Sequence, residues 1–483
     1  MIDRFVGVQD APLMLSVSGA RGVVGKTMTA VVARNFAAAF AAHIRQTLTA
    51  NARDGNAGAA ETRAIMVIGR DGRGSGEALA QAASDGLCAQ GFDVVDLGIV
   101  ATPTVGLMIG YLGAVGGISL TASHNPIEWN GLKTLNADGL ALPADAAEQV
   151  IARYRRGSTV PAGNLGRRSL NSDGDRLHVE RVLAAVDVAA IRAKRFRCAL
   201  DSVNGSGARA GRMLLETLGC EVLHLNGNHT GVFAHTPEPL EVNLGQLMDA
   251  VRVDGNFAVG FAQDPDADRL ALVDERGRFV GEEYTLVLGV LRLLQRQGHG
   301  VLATNLSTSR MIDDVAARFP PSRVIRTAVG EANVVAALKA GDGYCGGEGN
   351  GGLIWPRICW VRDSLSAMAL VLELLAHDGR LLSSIAAEIP AYSMIKRKMD
   401  LAAVGGRSAV APALAKVVDS FASRAGVRVD QTDGVRIDFA DRWVHLRASN
   451  TEPIIRLIAE ASDRAAAEAL CDACSDAAGF RSP

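Results

Sequence analysis

The sequence predicts an α/β protein: three tandem, related α/β domains with mixed sheets, followed by a smaller C-terminal α+β domain. Three observations predict this. A strand–turn–helix–strand format recurs three times, the pattern from about residue 390 onward changes to two-residue alternation, and the chain can bury several cores. Of its 483 residues 48% are hydrophobic and 21% charged, the composition of a globular chain. At roughly 150 residues per domain the length allows two to four domains.

The first repeat is RAIMVIGRDGRGSGEALAQAASDGLCAQGFDVVDLG: an apolar strand, a glycine-rich turn, an alanine-rich helix and a second strand. FRCALDSVNGSGARAGRMLLETLGCEVLHLNG is the second, and VLATNLSTSRMIDDVAARF through RVIRTAV the third. Their spacing, on the order of 100 residues, is too long for a solenoid. In GVRIDFADRWVHLRAS, Val435, Ile437 and Phe439 share one face, a turn falls at 440–442 and alternation resumes, which predicts an antiparallel pair before a closing helix. Polar or turn-rich breaks near 163–176, 280 and 390 divide the chain into segments 1–175, 176–280, 281–389 and 390–483.

The 50 basic and 52 acidic side chains nearly cancel, which argues against a nucleic-acid or acidic-membrane partner and leaves small, locally held anions. The opening MIDRFVGVQDAPLMLSVSG has no signal-peptide pattern, and runs such as SLSAMALVLELLA are too short to span a bilayer, so a soluble cytoplasmic protein is expected. Seven scattered cysteines suggest buried small residues rather than a disulfide frame. Cys471 and Cys474 form a CxxC without a second ligand pair, in a helical pattern, which does not make a zinc site.

Two near-motifs fail. ARGVVGKT has Ala20 where a phosphate-binding loop needs its first glycine, and GSGARA at 205–210 leads to a strand ending His224-Leu225-Asn226, without the acid that would hold a dinucleotide ribose. Four stretches carry more chemistry. TASHNP places Ser123, His124 and Asn125 after the apolar run Ile118–Leu120, where the serine either caps a following helix or is presented to a substrate. In DPDADR the alternating Asp264, Asp266 and Asp268 put three carboxylates on one side of an extended loop, a self-repelling set that suits Mg²⁺. A calcium loop is excluded because Arg269 stands where glycine is needed and LALV follows as a strand. GYCGGEGNGGLIWP holds a single charge, Glu348, among six glycines, as a sugar-binding loop could, although a flexible hairpin would read the same. RASNTEPIIR offers Arg447, Ser449, Asn450, Thr451 and Arg456 with turn amides, a set suited to phosphate or to an ordinary helix cap beside an arginine.

Together TASHNP, DPDADR, GEGNGG and RASNTEP closely resemble, in order and over essentially the whole chain, the four signature loops of the α-D-phosphohexomutase family. That resemblance implies four domains around a central cleft, one loop per domain, and an isomerase that moves phosphate between the 6- and 1-positions of a hexose. By motif, it implies a phosphorylated Ser123, and Mg²⁺ held by Asp264, Asp266 and Asp268 with an oxygen of Ser123's phosphate. Arg21 and Arg269 would stabilise the transferring group, and Lys133, in WNGLK, and His124 would handle protons. Glu348 and Asn350 would meet the sugar, and Arg447, Ser449, Asn450, Thr451 and Arg456 its phosphate. A hexose 1,6-bisphosphate would be the intermediate and activator, and the enzyme a monomer or homodimer. Many family members end the sugar loop in histidine where this chain has Gly352. The loop variants are similar to phosphoglucosamine mutases, with phosphomannomutase/phosphoglucomutase as the alternative. Outside the family, a metal-dependent sugar phosphatase and a dinucleotide-dependent oxidoreductase are the competing expectations.

Overall fold

Each repeat folds in the predicted format. Ile65–Arg70, Gly76–Ala89 and Asp93–Ile99 form strand, helix and parallel neighbouring strand. Arg197–Asp201, Gly207–Thr217 and Glu221–Leu225 repeat this, as do Val301–Asn305, Met311–Ala317 and Arg323–Thr327. A helix between parallel strands covers the face their apolar side chains present, so both ends of each unit are buried by its middle. The computed structural model describes residues 12–53, 63–157, 163–449 and 454–480.

The first sheet has seven strands in the order Met14–Ser16, Gly19–Val23, Trp129–Asn136, Gly116–Leu120, Ile65–Arg70, Asp93–Ile99, Arg168–Leu170. It is mixed: Trp129–Asn136 runs antiparallel to both its neighbours, whereas Gly116–Leu120 is parallel to Ile65–Arg70. Two of its elements were not foreseen. The long helix Ala30–Arg53 packs into the first core through Phe36 and Phe40. Arg168–Leu170, inside the presumed linker, pairs in parallel with Asp93–Ile99.

The second sheet, also mixed, orders Leu270–Val273, Val259–Gln263, Arg197–Asp201, Glu221–Leu225, with only the first pair antiparallel. In the third segment Val301–Asn305 lies between Arg323–Thr327 and Cys345–Glu348, all parallel. The last sheet is antiparallel throughout, in the order Ser393–Asp400, Ile454–Ala461, Trp443–Ala448, Val435–Asp438, Arg428–Asp430. Cys471 and Cys474 lie buried in the helix Arg464–Ala478, in the apolar core of this segment, as small core residues do.

The chain forms two compact units, one of residues 1–292 with 350–383 and one of 293–349 with 384–483. The 281–389 segment therefore contributes to both. Among the described residues, no helix is long and apolar enough to cross a membrane.

Candidate active site

The TASHNP turn leaves the carboxyl end of Gly116–Leu120, the end at which open α/β sheets place their ligands. The strand Trp129–Asn136 follows it, not a helix, so of the two readings for Ser123 the helix cap falls away. Ser123 adopts φ 49°, a left-handed conformation that costs a non-glycine residue about 1 kcal/mol, and local bonds hold it there. Its amide donates to Thr121 Oγ1 at 2.8 Å. Arg73 threads beneath the turn and donates to the carbonyls of Ser123 (2.6 Å), Asn125 (2.8 Å), Pro126 (2.6 Å) and Trp129 (2.9 Å), while its Nε bonds Asp71 at 3.0 Å. Buried carbonyls need donors, and one planar guanidinium supplies four of them here.

Ser123 is only 3% exposed. It faces the acidic loop rather than solvent, with Oγ donating to Asp264 Oδ2 at 3.0 Å. His124 Nδ1 lies 3.4 Å from the same hydroxyl, and Arg21 donates to Asn125 Oδ1 at 3.3 Å. Arg21 and Lys133 come from neighbouring antiparallel strands, where Arg21 lies opposite Gly131. A Cβ at Gly131 would stand 2.6 Å from Ala20 O and 2.9 Å from Thr121 O, so this strand can approach the turn only as glycine.

Asp264, Asp266 and Asp268 follow the carboxyl end of Val259–Gln263. The loop is not extended as expected. It turns, with Ala267 at φ 53° and its amide bonded to Asp264 O at 3.0 Å. The three carboxylates nonetheless converge, each offering an oxygen within 4.8 Å of the others, and all three are buried. Lys133 Nζ bridges Asp266 Oδ2 (2.6 Å) and Asp268 Oδ2 (3.1 Å), Thr102 Oγ1 donates to Asp266 Oδ2 at 2.7 Å, and Arg362 Nη2 donates to Asp268 Oδ2 at 2.7 Å. Asp266 Oδ1 and Asp268 Oδ1 are buried and accept no hydrogen bond. Buried acceptors are rarely left unpaired, and an all-oxygen set with orphaned atoms fits a hard dication such as Mg²⁺.

The electrostatics follow from this crowding. Burial, then repulsion from Asp266 and Asp268, pushes the Asp264 carboxyl well above the usual carboxylate range. Burial would raise Asp268 too, but Arg362, Lys133 and Arg269 together hold it well below that range. Burial would lower Lys133, yet Asp266 and Asp268 outweigh it and keep the ammonium charged. Burial, then Arg269 and Arg21, drives His124 well below its ordinary value, so its ring is neutral near pH 7.

Asn350 belongs to this same unit, and its buried Oδ1 accepts no hydrogen bond. Glu348 and Arg447 belong to the other unit. There Glu348 is buried and accepts from Asn305 Nδ2 at 2.8 Å, while Arg447 pairs with Asp433 at 2.8 Å. Ser449 is buried, its amide donating to Ile454 O at 2.8 Å. Arg447 and Arg456 lie directly opposite each other on adjacent strands. Asn450 and Thr451 lie outside the described residues.

Sequence reasoning missed Arg73, Thr102, Thr121 and Arg362. Only Arg73 left a signal: in RDGR, two opposite charges sit two residues apart at the end of a buried strand.

Comparison with known proteins gives four consecutive family matches, all described as phosphoglucomutase/phosphomannomutase. They are alpha/beta/alpha domain I over residues 14–160, domain II over 176–277, domain III over 281–392 and the C-terminal domain over 396–477. A "Phosphoglucomutase/phosphomannomutase" of Thermococcus kodakarensis is 36% identical, over 92% of this chain and 93% of that protein. A "Probable phosphoglucosamine mutase" of Methanopyrus kandleri is 35% identical, over 84% and 88%. The crystal structure of a phosphoglucomutase/phosphomannomutase family protein from Burkholderia thailandensis is similar with a TM-score of 0.81 and 26% identity, covering 96% of this chain and 97% of that one.

Proposed function

This chain belongs to the phosphoglucomutase/phosphomannomutase family, and we propose that it interconverts hexose 6- and 1-phosphates, with glucosamine phosphate as its substrate. The observation that carries the reading is Ser123 Oγ, held 3.0 Å from Asp264 at the edge of a buried carboxylate trio. The glucosamine preference is supported by relatives named phosphoglucosamine mutase. Glucose and mannose phosphates are the alternatives, in keeping with the T. kodakarensis relative. The four segments 1–175, 176–280, 281–389 and 390–483 would be its domains, and cytoplasm its place.

In this reading Ser123 carries a phosphoryl group in the resting enzyme. The Oγ–P bond breaks as a bond forms from phosphorus to the free hydroxyl oxygen of the sugar phosphate, and the hydroxyl proton passes to a base. The product is a hexose 1,6-bisphosphate. After turning round, it returns its other phosphate to Ser123 and leaves as the isomer. Phosphoryl transfer needs mainly alignment and charge stabilisation, which Arg21 and Arg269 would provide. Neutral His124 is in the state of a proton acceptor, and charged Lys133 in that of a donor. Mg²⁺ on Asp264, Asp266 and Asp268, joined by a phosphoserine oxygen, would supply further charge neutralisation. Glu348 and Asn350 would bind sugar hydroxyls, and Arg447, Ser449, Asn450, Thr451 and Arg456 the phosphate that stays.

The test is a rate comparison on glucosamine, glucose and mannose 6-phosphates with a trace of the matching 1,6-bisphosphate. Isomerisation fastest on the glucosamine compound, with little inorganic phosphate, is expected. Inorganic phosphate as the main product would replace the mutase with a sugar phosphatase.

A further inference from the structure

The surroundings of Gly352 leave no room for a side chain. A Cβ there would lie 2.2 Å from Arg362 Cδ, 2.9 Å from Arg362 Cγ and 3.1 Å from Asn350 Oδ1. Gly352 is not among the residues with positive φ, so its backbone would accept any side chain, and it is the arginine stem that leaves no room for one. That stem is firmly based. Arg362 is 9% exposed, and the next residue, Asp363, bonds its amide to Leu353 O at 2.8 Å and caps the helix Ser364–Asp378 through Leu365 N (2.9 Å) and Ser366 N (3.1 Å). From this base the guanidinium reaches the acidic loop, where Nη2 meets Asp268 Oδ2 at 2.7 Å. Lys133 holds the same oxygen at 3.1 Å. One carboxylate oxygen is thus tied twice while Oδ1 keeps no hydrogen bond.

We propose that Arg362 is a positioning residue of this site: its stem takes the volume of a side chain at 352, and its guanidinium fixes the orientation of Asp268. Gly352 and Arg362 then form one interdependent arrangement. The proposal rests on the mutase reading for its kinetic consequence and on the collision geometry alone for its structural one. A residue that orients a ligand-bearing carboxylate without touching substrate should affect kcat more than KM.

The full-length enzyme is compared as wild type, Arg362→Met, Arg362→Lys, Gly352→His and Gly352→His/Arg362→Ala, by kcat, KM, Mg²⁺ affinity of the unphosphorylated protein, and melting temperature. Arg362→Met should lower kcat by about tenfold or more and weaken Mg²⁺ binding by a similar factor, with KM little changed, and Arg362→Lys should recover only part of this. Gly352→His should melt lower by about 4 °C, and adding Arg362→Ala should reverse that loss. If Arg362→Met turned over like wild type and bound Mg²⁺ more tightly, the arginine would be acting only as a competing charge, and the positioning role would fall. Gly352→His melting with wild type would overturn the steric half. A wild type that does not isomerise hexose phosphates would sink the mutase reading instead, while the melting cycle still decides the Gly352–Arg362 pairing.

Discussion

A serine held at φ 49°, buried, with its hydroxyl on a carboxylate, is costly at a position where glycine would sit without strain. Such strain is retained where the side chain itself is needed. Ser123→Ala removes the hydroxyl but neither the Arg73 bonds to the turn nor the Thr121 bond, since those use backbone atoms. Turnover should fall by about 10³-fold or more with the melting temperature nearly unchanged, which a coupled isomerase assay and calorimetry on the same preparation would check. Asp266→Asn should weaken Mg²⁺ binding by about tenfold or more, read by titration calorimetry, because it removes a charge from the trio while Thr102 and Lys133 stay in place. At this scale the sequence was legible wherever chemistry is local: Ser123 and the three aspartates announce themselves within six-residue stretches. Arg73 and Arg362 were not, because the first serves carbonyls some fifty positions away and the second is explained by a glycine and an aspartate on other elements.

The helix Ser364–Asp378 shows how one element ties distant parts of its unit together. Its cap, Asp363, also accepts from His178 Nε2 at 3.2 Å, whose Nδ1 faces Thr104 Oγ1 at 2.9 Å, so a buried polar chain links three helices. Asp363→Ala would remove two cap bonds and leave a buried imidazole without its acceptor. A loss of about 2–4 kcal/mol is expected by urea unfolding, whereas Asp363→Asn should retain part of the stability. A loss below about 1 kcal/mol would mean that the chain contributes only a cap. The three repeats were legible as elements because each buries an apolar run beside a glycine- or serine-containing turn. The strand Arg168–Leu170 was not: three residues, mostly exposed at a sheet edge, carry no alternation to read. The helix Ala30–Arg53 escaped because alanine fills most of its buried face, and alanine marks neither burial nor exposure in a pattern.

Across the whole molecule, sequence order and compactness part company within residues 281–389. The helix Ser364–Asp378 is buried along nearly its whole length in the first unit, where Glu373 meets Arg292 at 3.2 Å and the Asp187 amide at 2.8 Å. The second unit joins 293–349 to 384–483 through buried polar contacts: Ser307 with His445 at 2.9 Å, the Arg310 amide with Glu460 at 3.0 Å, and Arg436 with Leu306 O. Such joints could not be foreseen from periodicity, which records which face is apolar but not which polar groups meet across it. The His445 joint has a pH consequence. Its Nε2 lies 2.6 Å from Asp433 O, a group that can only accept, so Nε2 carries the proton and Nδ1 accepts from Ser307. Burial, opposed by the Asp433 contacts but reinforced by Arg436 and Arg447, brings its pKa down from 6.5 to about 4. Because folding lowers this pKa, the stabilisation is full above pH 6.5 and is lost progressively as pH falls toward 4. The whole effect should be on the order of 3 kcal/mol. In urea unfolding between pH 4.5 and 7.5, wild type should lose stability toward acid more steeply than His445→Gln, which keeps an amide donor at this joint but cannot titrate. Parallel curves for the two proteins would show that the ring is charged or hydrated in the folded state, and that this joint does not exclude water.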